Sequence, residues 1–186
     1  RGSKSSLPET ALVIESKIIA EGLAFPEGPV WAGGELYFTE IAAGRVSRWT
    51  PERGVERVAD TGGGPNGATL GADSALYITQ NGGWARRLAN RVLPAIQRVT
   101  FDGKVASLAT EISGLTLGAP NDLAFGPDGR LYFSDPRGEP DPSTNRAPGR
   151  LFAYDLMRGT GELLLETGPV FPNGVAFSPD GLLYWS

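Results

Sequence analysis

The sequence predicts an all-β chain folded as a β-propeller, on three observations. A strand-turn-strand phrase recurs four times, glycine and proline punctuate the chain throughout, and no long segment carries helical periodicity. The phrase reads "PEGPVWAGGELYFTE" from Pro26, "PNGATLGADSALYITQ" from Pro65, "PNDLAFGPDGRLYFSD" from Pro120 and "PNGVAFSPDGLLYWS" from Pro172. Its polar residues Glu27, Asn66, Asn121 and Asn173 follow one another at 39, 55 and 52 residues. Spacings of that size, with strand-turn-strand content, indicate propeller blades and not a helical solenoid. The 26 Gly and 15 Pro among 186 residues supply the many tight turns that short strands require.

Each phrase provides the first two strands of a blade, ending on a Leu-Tyr strand. Third strands follow as "GRVSRW" from Gly44, "AIQRVTF" from Ala95 and "GRLFAYD" from Gly149, all alternating as half-buried strands do. Fourth strands follow as "GVERVAD" from Gly54, "GKVASLAT" from Gly103 and "GELLLET" from Gly161. Upstream, "VIESKIIAEG" from Val13 has the character of an outer strand without its blade, and "PNGVAFSPDGLLYWS" gives only an inner pair. The expectation is a tail over residues 1–12, disordered or left from cloning, and a single propeller domain over 13–186 that holds about three and a half blades. At ~50 residues per blade, a six-bladed ring needs on the order of 110 further residues.

Asn and Asp are poor strand residues, so Asn121 and Asp122 ahead of "LAF" call for a reason beyond a turn. Four such polar positions begin the innermost strands and therefore ring one mouth of the central channel. The connections between second and third strands reach the same mouth. Two of these are long, from Gln80 to Pro94 and from Asp135 to Gly149, and long loops on a rigid scaffold carry binding specificity. Trp84, Arg86, Arg87 and Arg137 are the side chains there expected to touch a ligand. The "PDG" turns with Asp128 and Asp180 lie on the opposite face, and Trp31, Tyr37, Phe38, Tyr132, Phe133 and Tyr184 are expected to pack between blades.

Composition narrows the chemistry. The net charge of −4 gives no basic footprint for nucleic acid, and no apolar run approaches the ~20 residues of a membrane-spanning helix. The first residues lack the apolar centre of a signal peptide, which leaves cytoplasm and periplasm both open; no oligomeric state is indicated. With no His and no Cys, Ser-His triads, imidazole bases and thiolates are excluded from this stretch. Carboxylate and amide oxygens without imidazole or thiolate suit a hard cation, Ca²⁺ first, with Mg²⁺, Mn²⁺ or Zn²⁺ behind it.

In their order and spacing, "EGPVW", "PNGATL…LYIT", "PNDLAFGPDGRLYFSD" and "PNGVAFSPDGLLYWS" resemble the gluconolactonase / senescence marker protein / luciferin-regenerating enzyme family of six-bladed propellers. The resemblance runs from about Glu15 to Ser186. It implies a divalent cation held by Glu27, Asn121 and Asn173, with an Asp from a blade beyond Ser186 completing the site and serving as base. It also implies substrate contacts by Asn66, Asn121 and Asp122, and hydrolysis of a lactone or related small ester. Glu27 is then expected to be buried in the channel, since a metal-free channel has no use for a buried carboxylate. The alternative is a propeller without catalysis, a small-molecule scaffold of the kind that strictosidine-synthase-like relatives represent.

Overall fold

The computed structural model describes residues 15–83, 92–137, 141 and 143–186, and every regular element in it is a strand. Four strands form the first blade, β1 (Pro26–Ala32), β2 (Glu35–Glu40), β3 (Arg45–Thr50) and β4 (Gly54–Asp60). The second holds β5 (Pro65–Leu70), β6 (Leu76–Gln80), β7 (Ala95–Val99) and β8 (Val105–Ala109). After a small hairpin, β9 (Glu111–Ile112) and β10 (Leu115–Thr116), the third blade holds β11 (Leu123–Phe125), β12 (Leu131–Asp135), β13 (Arg150–Asp155) and β14 (Thr160–Glu166). β15 (Val175–Phe177) and β16 (Leu183–Trp185) are the inner pair of a fourth. Each sheet is antiparallel, with its strands side by side in chain order.

The first strands lie against one another in the order β1, β5, β11, β15, which makes them the inner strands of neighbouring blades. Apolar residues fill the space between blades. Tyr37, Val46 and Ala59 meet Leu76, Ile78 and Val99 between the first and second. Ile96, Ile112 and Leu117 meet Leu123, Phe133 and Phe152 between the second and third. Each fully buried side chain of this kind contributes about 1.5–3 kcal/mol, so the two filled junctions outweigh the short strands' weak intrinsic preference.

Of the aromatics expected between blades, Tyr37 stacks on Phe101 of the second blade at 4.5 Å, and Tyr132 meets Phe177 of the fourth edge-on at 4.9 Å. Phe38 and Phe133 are buried. Trp31 and Tyr184 are not: they are 65% and 58% exposed, because they point away from the second and third blades, onto faces that no blade covers among the described residues. The outer strand expected from Val13 is also absent where the structure describes it: residues 15–21 form no strand, there being no neighbouring sheet edge to supply the hydrogen bonds that define one. Residues 1–14 lie outside the described residues.

Candidate functional site

The polar residues sit where each inner strand begins, opposite the end of the second strand. Pro26 pairs with Glu40 and Glu27 with Thr39; Pro65 pairs with Gln80. Directly after these pairs the register shifts, between Glu27 and Val30 and between Pro65 and Ala68. Such irregularities re-aim a side chain and end regular pairing, which is why Glu and Asn are tolerated where a regular strand would take Val. Glycine follows in three of the four phrases, and the first two require it. Gly28 has φ +52°, and a Cβ there would lie 2.5 Å from the Ala68 nitrogen; a Cβ on Gly67 would lie 2.7 Å from the Asp122 Cα. The inner strands thus approach closely enough for backbone to touch backbone across blades.

Those approaches bring the polar residues into one row. Thr39 Oγ1 donates to the Asn66 carbonyl, the Gly67 N–H donates to the Asn121 carbonyl at 2.7 Å, and Ser134 Oγ donates to the Asn173 carbonyl at 2.7 Å. Glu27, Asn66, Asn121 and Asn173 therefore occupy successive places on one rim. Among the described residues, none of their four side chains has a hydrogen-bond partner. Asn66 and Asn121 are half-buried, and Asn173 and Glu27 are exposed. Exposure of Glu27 corrects the expectation of a buried carboxylate: the blade that would flank it is not among the described residues. Beside it lies instead an apolar hollow of about 390 Å³, lined by Ile19, Leu23, Pro29, Leu36, Phe38 and Trp49.

Asp122 is engaged differently. Its Oδ2 accepts the Val175 N–H at 2.8 Å, tying the third blade to the inner strand of the fourth. Burial raises its pKa above the ordinary 3.8, against the opposing pull of the Val175 and Leu123 N–H groups. Arg137 has φ +60° and lays its side-chain stem on Gly118, where a Cβ would come 2.5 Å from Arg137 Cγ. Trp84, Arg86 and Arg87 lie outside the described residues.

Two residue sets at this mouth escaped the sequence reading. The Leu-Tyr strands end in hydroxyl then acid or amide: Thr39-Glu40, Thr79-Gln80, Ser134-Asp135, and Ser186 in the fourth phrase. Glu40, Gln80 and Asp135 are fully buried, and each fastens the chain entering its own blade. Glu40 accepts from the Ala24 N–H at 2.8 Å, Gln80 from Gly64 at 2.6 Å, and Asp135 from Ala119 at 2.6 Å. Burial raises the Asp135 pKa despite the N–H groups of Ala119 and Gly118. At Glu40 burial works the same way, yet bonds from Arg45, Ser47 and the Ala24 backbone outweigh it and the pKa is lowered. The signal was in the sequence, a polar pair repeating after the first three Leu-Tyr strands; read singly, each pair looks like an ordinary strand end.

The donor set fits a hard cation: unpartnered oxygens from one carboxylate and several amides, with no nitrogen or sulfur ligand. Among the described residues no three His, Cys, Asp or Glu side chains come together, so the amides must supply most of any coordination here.

A family model described as "SMP-30/Gluconolactonase/LRE-like region" matches residues 25–186. A gluconolactonase of Zymomonas mobilis is 29% identical over 88% of this chain and 49% of its own length. A pentonolactonase of Haloferax volcanii is 29% identical over 89% of this chain and 50% of its own. The chain thus spans about half the length of the curated relatives it matches. The solved structure of a gluconolactonase from Xanthomonas campestris aligns with a TM-score of 0.70 at 28% identity, over 88% of this chain and 55% of that one. A calcium-binding protein, regucalcin, from Agrobacterium tumefaciens aligns at 17% identity with a TM-score of 0.61, over 88% of this chain and 50% of that one, a likeness of fold alone.

Proposed function

The chain belongs to the SMP-30/gluconolactonase/LRE-like family, and from that premise we propose that it forms the mouth of a divalent-cation-dependent lactonase acting on small sugar lactones. The observation that carries this reading is the rim: four oxygen-bearing side chains in successive blades, all on one mouth and all without a partner among the described residues. Two relatives of similar identity are named for lactone hydrolysis, one of a six-carbon and one of a five-carbon sugar acid, which supports the class of substrate and leaves ring size open.

In this reading Glu27, Asn121 and Asn173 hold the cation, Ca²⁺ by donor chemistry. Bound there, a cation would supply Lewis acidity toward a lactone carbonyl. Glu27 contributes the one formal negative charge, so the neutral amides leave most of the cation's charge available to substrate. Asn66, with its amide free on the rim between Glu27 and Asn121, orients the sugar hydroxyls. Asp122 acts mainly by holding the third blade to the fourth, and its second oxygen is the part available to a substrate. Arg137, fixed over Gly118, borders the mouth on the side of the second long loop, with Trp84 and Arg86 assigned to the first.

Calorimetric titration with Ca²⁺, followed by hydrolysis of gluconolactone and of a pentonolactone, tests the proposal, with Glu27→Gln as the variant. The parent is expected to bind the ion, and the variant to lose affinity by about tenfold or more with its melting temperature unchanged, because the Glu27 side chain has no hydrogen-bond partner among the described residues. Absence of divalent-ion binding, or a variant as competent as its parent, sinks the metal reading. The scaffold alternative then stands.

A further inference from the structure

The rim side chains are free, but their backbones are not. We propose that Thr39, Thr79 and Ser134 are positioning residues: each aims the rim residue of the following blade by gripping its carbonyl. This rests on the assignment of the rim above and adds the residues that orient it.

The direction of each hydrogen bond follows from which partner can donate. Thr79 Oγ1 lies 2.8 Å from the Gly67 N–H of its own blade, which can only donate and is shared between this hydroxyl and the Asn121 carbonyl at 2.7 Å. Its single hydrogen is left for the Asn121 carbonyl of the next blade, with the Gly67 carbonyl 3.5 Å away as the poorer acceptor. Ser134 repeats the arrangement, accepting from the Asp122 N–H at 3.1 Å and donating to the Asn173 carbonyl at 2.7 Å. Thr39 faces two carbonyls, its own blade's Glu27 at 3.1 Å and, closer, Asn66 of the next, and its hydrogen goes to the closer one. All three hydroxyls are fully buried. Ser186 holds the equivalent place in the fourth phrase and accepts from the Gly174 N–H at 3.0 Å.

A buried hydroxyl is costly unless bonded, and Val would fill the space of Thr in a strand. Three such groups, each bonded across a blade boundary to the backbone of a rim residue, do what packing cannot. They fix the peptide plane from which the amide side chain springs, and so the arc that side chain sweeps. Outer-shell hydrogen bonds of this kind commonly change metal affinity by about 10–100-fold without touching the ion.

The test compares Thr79→Val, which keeps the shape and removes the hydroxyl, with Thr79→Ser, which restores it. One readout needs no metal: the three-bond couplings that report the χ1 rotamer of Asn121 in labelled protein. The parent is expected to show one dominant rotamer, Thr79→Val an averaged set, and Thr79→Ser the parent's pattern. Calcium affinity by calorimetry should fall about tenfold in the Val variant and return in the Ser variant. Val99→Ala, buried in the second blade opposite Leu76 at the end of the pair away from the rim, is the control for lost stability alone and should leave both readouts unchanged. If Thr79→Val does not fold, Ser134→Ala read at Asn173 replaces it. An Asn121 rotamer indifferent to the hydroxyl, or equally disturbed by Val99→Ala, overturns the proposal. A parent that binds no calcium removes the metal assignment, and the rotamer measurement still decides whether the hydroxyls position the rim.

Discussion

The two faces of the blades use polar residues in opposite ways. On the face of the tight turns every blade with four strands carries an acid, a tyrosine and an arginine that satisfy one another. Tyr37 donates to Glu35 at 2.5 Å, with Arg48 at 3.4 Å from the same carboxylate. Tyr77 donates to Asp73 at 3.2 Å beside Arg98 at 2.6 Å, and Tyr132 to Asp128 at 2.9 Å beside Arg130 at 2.6 Å. At the mouth the side chains of Glu27, Asn66, Asn121 and Asn173 have no such company among the described residues. Saturated polar groups hold a surface together, whereas unsaturated ones gathered on a row remain available to something else.

That contrast can be broken, first, at the close approach behind the rim. Gly67→Ala places a Cβ against the Asp122 backbone and the Asn121 carbonyl, neither of which can swing aside. The expected loss is about 3 kcal/mol, read as a lowered urea midpoint, together with loss of any ion binding. A far-face change should behave oppositely. Arg98→Ala removes the partner of Asp73 in a partly exposed pair, so stability should fall by under ~1 kcal/mol and calcium affinity should not move.

A pH series sharpens the distinction between Asp122 and the rim. Its folded pKa lies above the ordinary 3.8, so just above that value the native state binds more protons than the unfolded chain. Its contribution to stability therefore falls as pH rises through that window and is flat above it. Asp135 has the same sign and Glu40 the opposite one, its share being lost as pH drops. Asp122→Asn keeps an acceptor but cannot titrate, so the stability of variant minus parent should climb as pH rises through the window; a flat difference would contradict the assignment. The smallest effect is expected for Tyr132→Phe, which removes one partly exposed hydroxyl from a saturated triad and should cost a few tenths of a kcal/mol by thermal melts.

The blades were legible because their signal is repeated: four phrases in register, the first three with third and fourth strands where alternation put them. The rim was legible for the same reason. The fastening residues were not, because Thr39-Glu40 and Ser134-Asp135 look like strand ends until burial shows them inside the protein. Trp31 and Tyr184 misled because a large apolar side chain on an inner strand has the same sequence character whether or not a neighbouring blade covers it. The short hairpin of β9 and β10 left no periodic trace, yet it sets Ile112 into the core and bonds Ser113 to the Gly161 carbonyl at 2.7 Å.

Glu40, Gln80 and Asp135 have one more consequence. Each anchors the incoming chain immediately before its blade begins, on the same side as the connections that leave the second strand. Gln80 also holds the start of its connection, accepting from the Gly82 N–H at 2.9 Å. Segments of different length and composition can be grafted between Gly83 and Pro94, or between Pro136 and Gly149, with the strand ends beneath them still fastened to the incoming chain.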